Sequence, residues 1–428
     1  MDVVFKFEMD DDYPIRENGI LCNMKEYRYT FWDSQLKLLP KFIDCKAIDL
    51  LMLSLAVYGA DRMIMRKSAG DGWKRNIHIH LPVLNLQVMN DQKRHIKSIL
   101  DFLSGDEWTL SFRSRELTEE EKEYIEIVER GKQLRINVKR ICMFSGGLDS
   151  FIGAIDSLVE DSQEIIFVSH YGGGKGVREY QQLLQAELER KFTISGNRFF
   201  SYYAAPPDGK EDTMRSRSFM FFSHAIALAS CFEEEIKLIV PENGYISLNI
   251  PLTFSRLGSS STRTTHPHYM TMLQKLINGL GLSIKIINPY QFKTKGEMVI
   301  ECKNQEFLRG SISNTMSCSH PDLGRMRGES DTKHCGTCLP CVIRRAAMLK
   351  AGYNDDATYY DSEFKKGSTA KTNLNSYLLG LQKYDAERAF LSIQMSGPLT
   401  EKLDEYESVY KSGIEEMRTF LEQYNESD

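Results

Sequence analysis

Apolar and polar residues alternate from Val3 to Met9 and again through NIHIHLPV at residues 76–83, the period expected of strands. Between them, residues 45–66 are apolar around most of a helical circumference, which predicts a well-buried helix. DQKRHIKSILDFL places its apolar residues at helical spacing, and WTLSFRSR at residues 108–115 alternates again. These elements predict a small α+β domain over residues 1–135. The charge-rich RELTEEEKEYIEIVERGK, a surface helix stopped by Gly131, marks its end. From residue 136 the period changes. Short apolar strands (INVKRICMF, EIIFVSHY, IKLIV) alternate with longer helical segments (SFIGAIDSLVE, GVREYQQLLQAELERKF, RSFMFFSHAIALASCFEEE). Such alternation predicts a doubly wound α/β domain, residues 136–352, with a parallel sheet and a ligand crevice at the carboxyl ends of its strands. Residues 353–428 form a helical extension in which Leu403, Tyr406, Tyr410, Met417, Leu421 and Tyr424 make one apolar stripe. That stripe either packs on the chain's own core or docks a partner.

Composition narrows the class. At 428 residues the chain exceeds the size of a single growing core, so two or three structural units are expected. Its 42% hydrophobic and 26% charged residues are those of a soluble globular protein. A net charge of −5 argues against non-specific nucleic-acid binding, which needs a basic field. The first residues lack a basic flank and an apolar run, and apolar stretches such as 50–53 are too short to span a bilayer, so a cytoplasmic location is expected. In that compartment nine cysteines point to metal ligation rather than to disulfides.

Two motifs carry chemistry. SGGLDS lies between a strand and a helix: Ser145, Gly146, Gly147, Leu148, Asp149 and Ser150. Gly146 and Gly147 allow a tight turn that presents backbone amides to a phosphate, and the helix start adds its positive dipole end. The two serine hydroxyls can join them, and Asp149 suits the holding of the loop or of Mg²⁺. The loop has no lysine of the γ-phosphate-transferring GxxxxGK[ST] type, so it points to ATP without that chemistry. The second motif is Cys318 followed by the C-x-x-C-x-x-C run of Cys335, Cys338 and Cys341, a set suited to tetrahedral Zn²⁺. Four thiolates leave no open position, which implies a structural ion; a redox pair and an iron–sulfur cluster are the competing readings.

SGGLDS resembles the signature of the N-type ATP pyrophosphatases. Joined to SC…CGTCLPCVIRRA, it is similar to 7-cyano-7-deazaguanine synthase, QueC, over residues 136–352. YGGGKGVRE, RSRSFMFFSHAIALA and QFKTKGEMV follow in the same order as comparable segments of that family and set Arg217 and Lys295 at its arginine and lysine. The resemblance implies ATP and Mg²⁺ use, adenylation of a 7-deazaguanine carboxylate and attack by an amine, with Asp149, Lys295 and Arg217 as catalytic candidates that neutralise phosphate and acyl charge. Where the synthase has an acidic, proline-containing loop, this chain has PENGYISLNIPLTFSRLGSSSTRTTHPHYM. Its polar residues, Glu242, Asn243, Asn249, Arg256, Ser260, Ser261, Thr262, Arg263, Thr264, Thr265, His266 and His268, are expected to face the crevice. Enlarged relatives of this kind resemble proteins of bacterial anti-phage operons such as QatC of Qat systems. That resemblance implies an amine on a partner protein as acceptor. A housekeeping 7-cyano-7-deazaguanine synthase and a non-catalytic ATP-binding assembly subunit are the alternatives.

Overall fold

The computed structural model describes residues 1–8, 10–32, 34–131, 137–172, 175–213, 215–251, 263–328 and 331–424. The N-terminal segment runs β1 (Asp2–Lys6), β2 (Ile20–Asn23), β3 (Arg28–Tyr29), α1 (Cys45–Met63), β4 (Asn76–Val83), α2 (Leu86–Ser104), β5 (Glu107–Ser114) and α3 (Glu119–Arg130). Four of these strands form a sheet ordered β2-β1-β4-β5, parallel at every pairing. The β4–α2–β5 unit explains the direction: α2 ends at Gly105, whose φ of 74° turns the chain back for a second parallel strand. Thr118 and Glu121 close a reciprocal capping box at the start of α3.

The second sheet contains β6 (Arg140–Met143), β7 (Ile165–Tyr171), β8 (Phe199–Ala205), β9 (Ile236–Ile239) and β10 (Ile284–Ile287) in the order β10-β9-β6-β7-β8, all parallel, with β3 added antiparallel at the β8 edge. Between them run α4 (Leu148–Glu160), α5 (Lys175–Phe192), α6 (Arg217–Ala229), α7 (Gly244–Ser247) and α8 (Pro267–Gly279). Both faces of the sheet are covered, so its strands read as continuous apolar runs. Ile141, Met143, Ile166, Val168, Phe200 and Tyr202 face α6, α8 and the N-terminal segment; Cys142, Phe144, Ile165, Phe167 and Phe199 face the opposite helices. Helix α1 lies between the N-terminal sheet and α6, which is why it is apolar all round, and one buried apolar cluster extends from Val3 to Ile284. The fold is α/β with parallel sheets and a helical C-terminal region.

That region follows α9 (Lys295–Glu301), α10 (Gln305–Ser311), α11 (Leu323–Met326) and α12 (Leu339–Ala351), and comprises α13 (Ser368–Gln382), α14 (Ala389–Ser396) and α15 (Leu403–Leu421). The stripe on α15 is intramolecular. Tyr406, Tyr410, Met417 and Leu421 are buried against α7, α12, α13 and α14, with Leu403 and Tyr424 packed at the margin. The Tyr245 ring sits so close to Gly413 that an added Cβ would meet it at 2.2 Å. Among the described residues no helix is long and apolar enough to cross a membrane.

Leu421 and Ile414 are essentially inaccessible to solvent. Leu421→Ala and Ile414→Ala are each expected to cost about 2–5 kcal/mol, read from urea denaturation, because the space around them cannot collapse completely.

Candidate nucleotide site and cysteine cluster

The sheet fixes where a ligand can sit. From β6 the chain winds outward through β7 and β8, then returns to β9 on the other side of β6. The switch in winding leaves a crevice at the carboxyl ends of β6 and β9. The glycine loop emerges from β6 there. Gly146 adopts φ 84°, and a Cβ on it would meet Gln181 Cγ at 2.9 Å. The Gln181 amide donates to the carbonyls of Ser145 at 3.0 Å and His170 at 3.1 Å, tying the loop to the end of β7. The Ser145 hydroxyl donates to Ser150 Oγ (3.1 Å) and Ser150 to the Gly147 carbonyl (2.9 Å). Gly147 caps α4 without a side chain of its own, so the helix start remains a backbone anion site. Segment 315–318 braces the loop from outside: the Met316 amide donates to the Gly146 carbonyl (2.8 Å) and the Leu148 amide to Ser317 Oγ (3.2 Å).

Asp149 and Lys295 come together as a buried ion pair at 2.6 Å. Asn243, which follows β9, donates its side-chain amide (2.6 Å) and backbone N–H (3.2 Å) to the other Asp149 oxygen. Burial would raise the Asp149 pKa, but Lys295, then Glu242 and Asn243, outweigh it and hold the group below the usual carboxylate range. Glu242 is shifted the other way. Burial, and then the charge on Asp149, push its carboxyl well above the ordinary value, so it stays protonated and donates to Asp149. Two carboxyl groups sharing one proton beside a lysine are a hard-oxygen donor set of the kind Mg²⁺ uses.

Arg217 opens α6 one strand further along. Its Nε donates to His170 Nδ1 at 3.2 Å, and Asp61 of α1 holds the start of that helix by accepting from the Ser216 hydroxyl at 2.6 Å. Burial, and then Arg217, keep His170 neutral. Arg217 therefore joins the glycine loop through His170 and Gln181 and does not touch the Asp149–Lys295 pair.

The four cysteines converge. Cys318 and Cys338 sulfurs lie 3.9 Å apart, as do those of Cys335 and Cys341, and all four fall within 4.8 Å of one another. Tetrahedral zinc with Zn–S bonds of 2.3 Å requires S···S separations of about 3.8 Å. Backbone amides of His320, Cys335 and Cys338 point at the sulfurs at 3.1–3.3 Å, which favours thiolates. Gly336, at φ 86°, passes so close to Asp361 that a Cβ would meet its carbonyl at 2.0 Å. The cluster is compatible with zinc and secures the brace: Ser317 and Cys318 are neighbours, and the fully buried Arg344 donates to the carbonyls of Thr315 and Ile312.

The polar loop differs from expectation. Arg263 stacks on Phe102 of α2 and donates to its carbonyl, and His268 packs edge-on to the same ring. His266 caps α8, pairs with Ser396 Oγ at 3.0 Å, and is driven by burial to a pKa of about 3. These side chains tie α2, α8 and α14 together; among the described residues of the loop, Glu242 and Asn243 are the ones that reach Asp149. Arg256, Ser260, Ser261 and Thr262 lie outside the described residues. Sequence reasoning missed Gln181, Ser317 and Glu416. The last is a buried carboxylate of α15 that accepts from Thr294 and from the Gly296 amide and pairs with Lys350 at 2.9 Å, anchoring the turn that carries Lys295. An unexplained acid on an otherwise apolar stripe was its one signal.

Comparison with known proteins addresses the second half of this site. The family model for Queuosine biosynthesis protein QueC matches residues 259–352, which include Lys295 and all four cysteines. This segment is QueC-like. The 7-cyano-7-deazaguanine synthases of Brucella ovis, Brucella canis and Brucella suis are each 30% identical over 105 residues, 24% of this chain and 40% of the relative. The chain thus spans about two fifths of the length of the curated relatives it matches.

Lys295→Met leaves a buried, uncompensated carboxylate and is expected to cost about 3–5 kcal/mol in denaturation. Glu242 favours the fold only while protonated, an advantage complete below about pH 4.3 and lost as pH rises through its elevated folded-state value. Glu242→Gln, permanently neutral, should therefore match the parent chain in acid and gain in Tm over it as pH is raised. Asp149→Asn should behave oppositely, losing most stability at neutral pH and converging with the parent only as pH falls from about 4 through the depressed folded-state value of Asp149.

Proposed function

We propose that this chain is an ATP-dependent, AMP-forming ligase that activates a carboxylic acid of the 7-deazaguanine class and passes the acyl group to an amine. The observation that carries the reading is the glycine loop at the switch point of a parallel sheet, with Asp149, Glu242 and Lys295 gathered at its first helical turn. Amides of Gly146 and Gly147 and the hydroxyls of Ser145 and Ser150 bind phosphate oxygens at the start of α4, and the Leu148 amide joins them on leaving Ser317 Oγ. Asp149 and Glu242 would hold Mg²⁺, which would offset phosphate charge, and Lys295 and Arg217 add positive charge. The acid's oxygen attacks the α-phosphorus and expels pyrophosphate. The amine then attacks the acyl carbon and expels AMP. Zn²⁺ on the four cysteines is structural in this reading: with its coordination filled by sulfur it keeps segment 315–318 against the loop.

Residues 136–352 carry the chemistry in this proposal, and residues 1–135 and 353–428 surround it. The additional segments favour an acceptor amine on a partner protein from an anti-phage operon. The likeness to synthases favours a second reading, a housekeeping 7-cyano-7-deazaguanine synthase that uses ammonia.

Incubation with ATP, 7-carboxy-7-deazaguanine and ammonia or co-expressed operon proteins separates these outcomes. AMP and pyrophosphate are expected as products, with an acyl mass increment on a protein; free nitrile selects the housekeeping enzyme, and ADP overturns the ligase reading. Asp149→Ala should lower AMP formation at least about 100-fold, the scale of losing one preorganised electrostatic group. Metal analysis should find one zinc per chain held by the four cysteines, and Cys341→Ser should release that ion together with much of the folded protein.

A further inference from the structure

The outward face of the N-terminal sheet holds a second convergent group of ligand atoms, remote in sequence from the cysteines and from the glycine loop. The NIHIHLPV strand sends Ile77, Ile79 and Leu81 into the core, so His78 and His80 share the opposite face. Register places Asp2 of β1 directly beside His78, with Val4 beside His80. His80 Nε2 lies 2.8 Å and His78 Nδ1 3.1 Å from the same oxygen, Oδ1 of Asp2, and the ligand atoms of all three residues fall within 4.8 Å of one another. The outer ring nitrogens are held as well: His78 Nε2 by Ser111 Oγ at 2.8 Å and His80 Nδ1 by the Tyr13 hydroxyl at 2.9 Å.

From this arrangement we infer that Asp2, His78 and His80 form a mononuclear site for a divalent transition-metal ion, separate from the cysteine cluster. When each outer N–H donates to its hydroxyl, both inner nitrogens turn lone pairs toward a carboxylate oxygen, and a cation at their meeting point resolves the repulsion. Hydrogen bonding of the outer imidazole nitrogen is the device that fixes tautomer and ring orientation at metal-bound histidines. Each histidine nitrogen stands 2.8–3.1 Å from the Asp2 oxygen, and tetrahedral bonds of about 2.05 Å need donor separations of about 3.3 Å, an opening of a few tenths of an ångström between each imidazole and the carboxylate. Two imidazoles and one carboxylate suit a borderline ion such as Zn²⁺, Co²⁺ or Fe²⁺ and leave coordination positions free. Those positions open onto a cavity of about 210 Å³ bounded by Val4, Tyr13, Pro14, Ile15 and Arg16. That segment is pinned over the sheet by the Asp11–Arg113 ion pair and by Arg113 lying 4.2 Å over the Tyr13 ring. The site is thus open, in contrast to the closed set of four cysteines.

Titration of full-length protein, its cysteine cluster filled with Zn²⁺, with Co²⁺ tests the assignment. One further equivalent should bind with weak visible absorption bands and no thiolate-to-metal charge-transfer band. The double variant His78→Ala/His80→Ala should lose that equivalent and retain the cysteine-bound zinc, while Tyr13→Phe should weaken Co²⁺ binding about 10-fold or more through the lost imidazole contact. Failure of the parent chain to take up Co²⁺ beyond the cysteine cluster overturns the inference without reference to any variant. Persistence of the band in a folded double variant overturns it equally.

Discussion

Asp149 and Lys295 lie 2.6 Å apart with almost no access to water. Removing two such charges from solvent costs several kcal/mol per ion, which their attraction repays only when the remaining hydrogen-bonding capacity of both groups is met. That requirement organises the surrounding architecture. Asn243 must follow β9 closely enough to reach Asp149, so β9 has to pair with β6, and the winding reversal between them creates the crevice. Lys295 must arrive from beyond β10 on a fixed helix start. The Thr294–Glu297 capping box sets that start, and Glu416 of α15 braces it. A pair this demanding is a poor way to stabilise a fold and a good way to hold charge in one place beside the glycine loop.

The same network changes the meaning of the C-terminal helices. Read alone, the α15 stripe is either an internal packing face or a surface awaiting a partner. In the folded chain Tyr406, Tyr410, Met417 and Leu421 are covered, and Glu416, one residue from Met417, reaches the α9 cap. Loss of α15 would therefore disturb the turn that carries Lys295 as well as the core. If a protein partner is used, its contacts must lie elsewhere than on this stripe.

What could be read in advance follows from sequence distance. The glycine loop is six consecutive residues and three of the cysteines occupy seven positions, so local geometry alone brings most of their atoms together. Strand and helix periods gave the parallel sheet because both of its faces are apolar. Residues that act across the fold leave no periodic trace: Gln181 is 36 positions from Ser145, Ser317 is 169 from Leu148 and Glu416 is 120 from Gly296. Arg263, His266 and His268 depart from the expected crevice for the same reason. Their spacing cannot tell a crevice from a seam between helices, and Phe102, which attracts Arg263 and His268, lies far upstream.

Polarity in such a seam and polarity at a reactive site are distinguished by what satisfies each group. His266 is buried, neutral and fully engaged, by the His268 amide and by Ser396, and nothing is left over for a ligand. Glu242 is different: burial, and then the charge on neighbouring Asp149, push its carboxyl well above the ordinary range where two acids face one lysine. A divalent cation entering there would release that proton and satisfy both acids, exchanging an internal compromise for a complete coordination set. The frustrated acid pair, rather than the number of polar residues nearby, is what distinguishes the end of β6 as the candidate site.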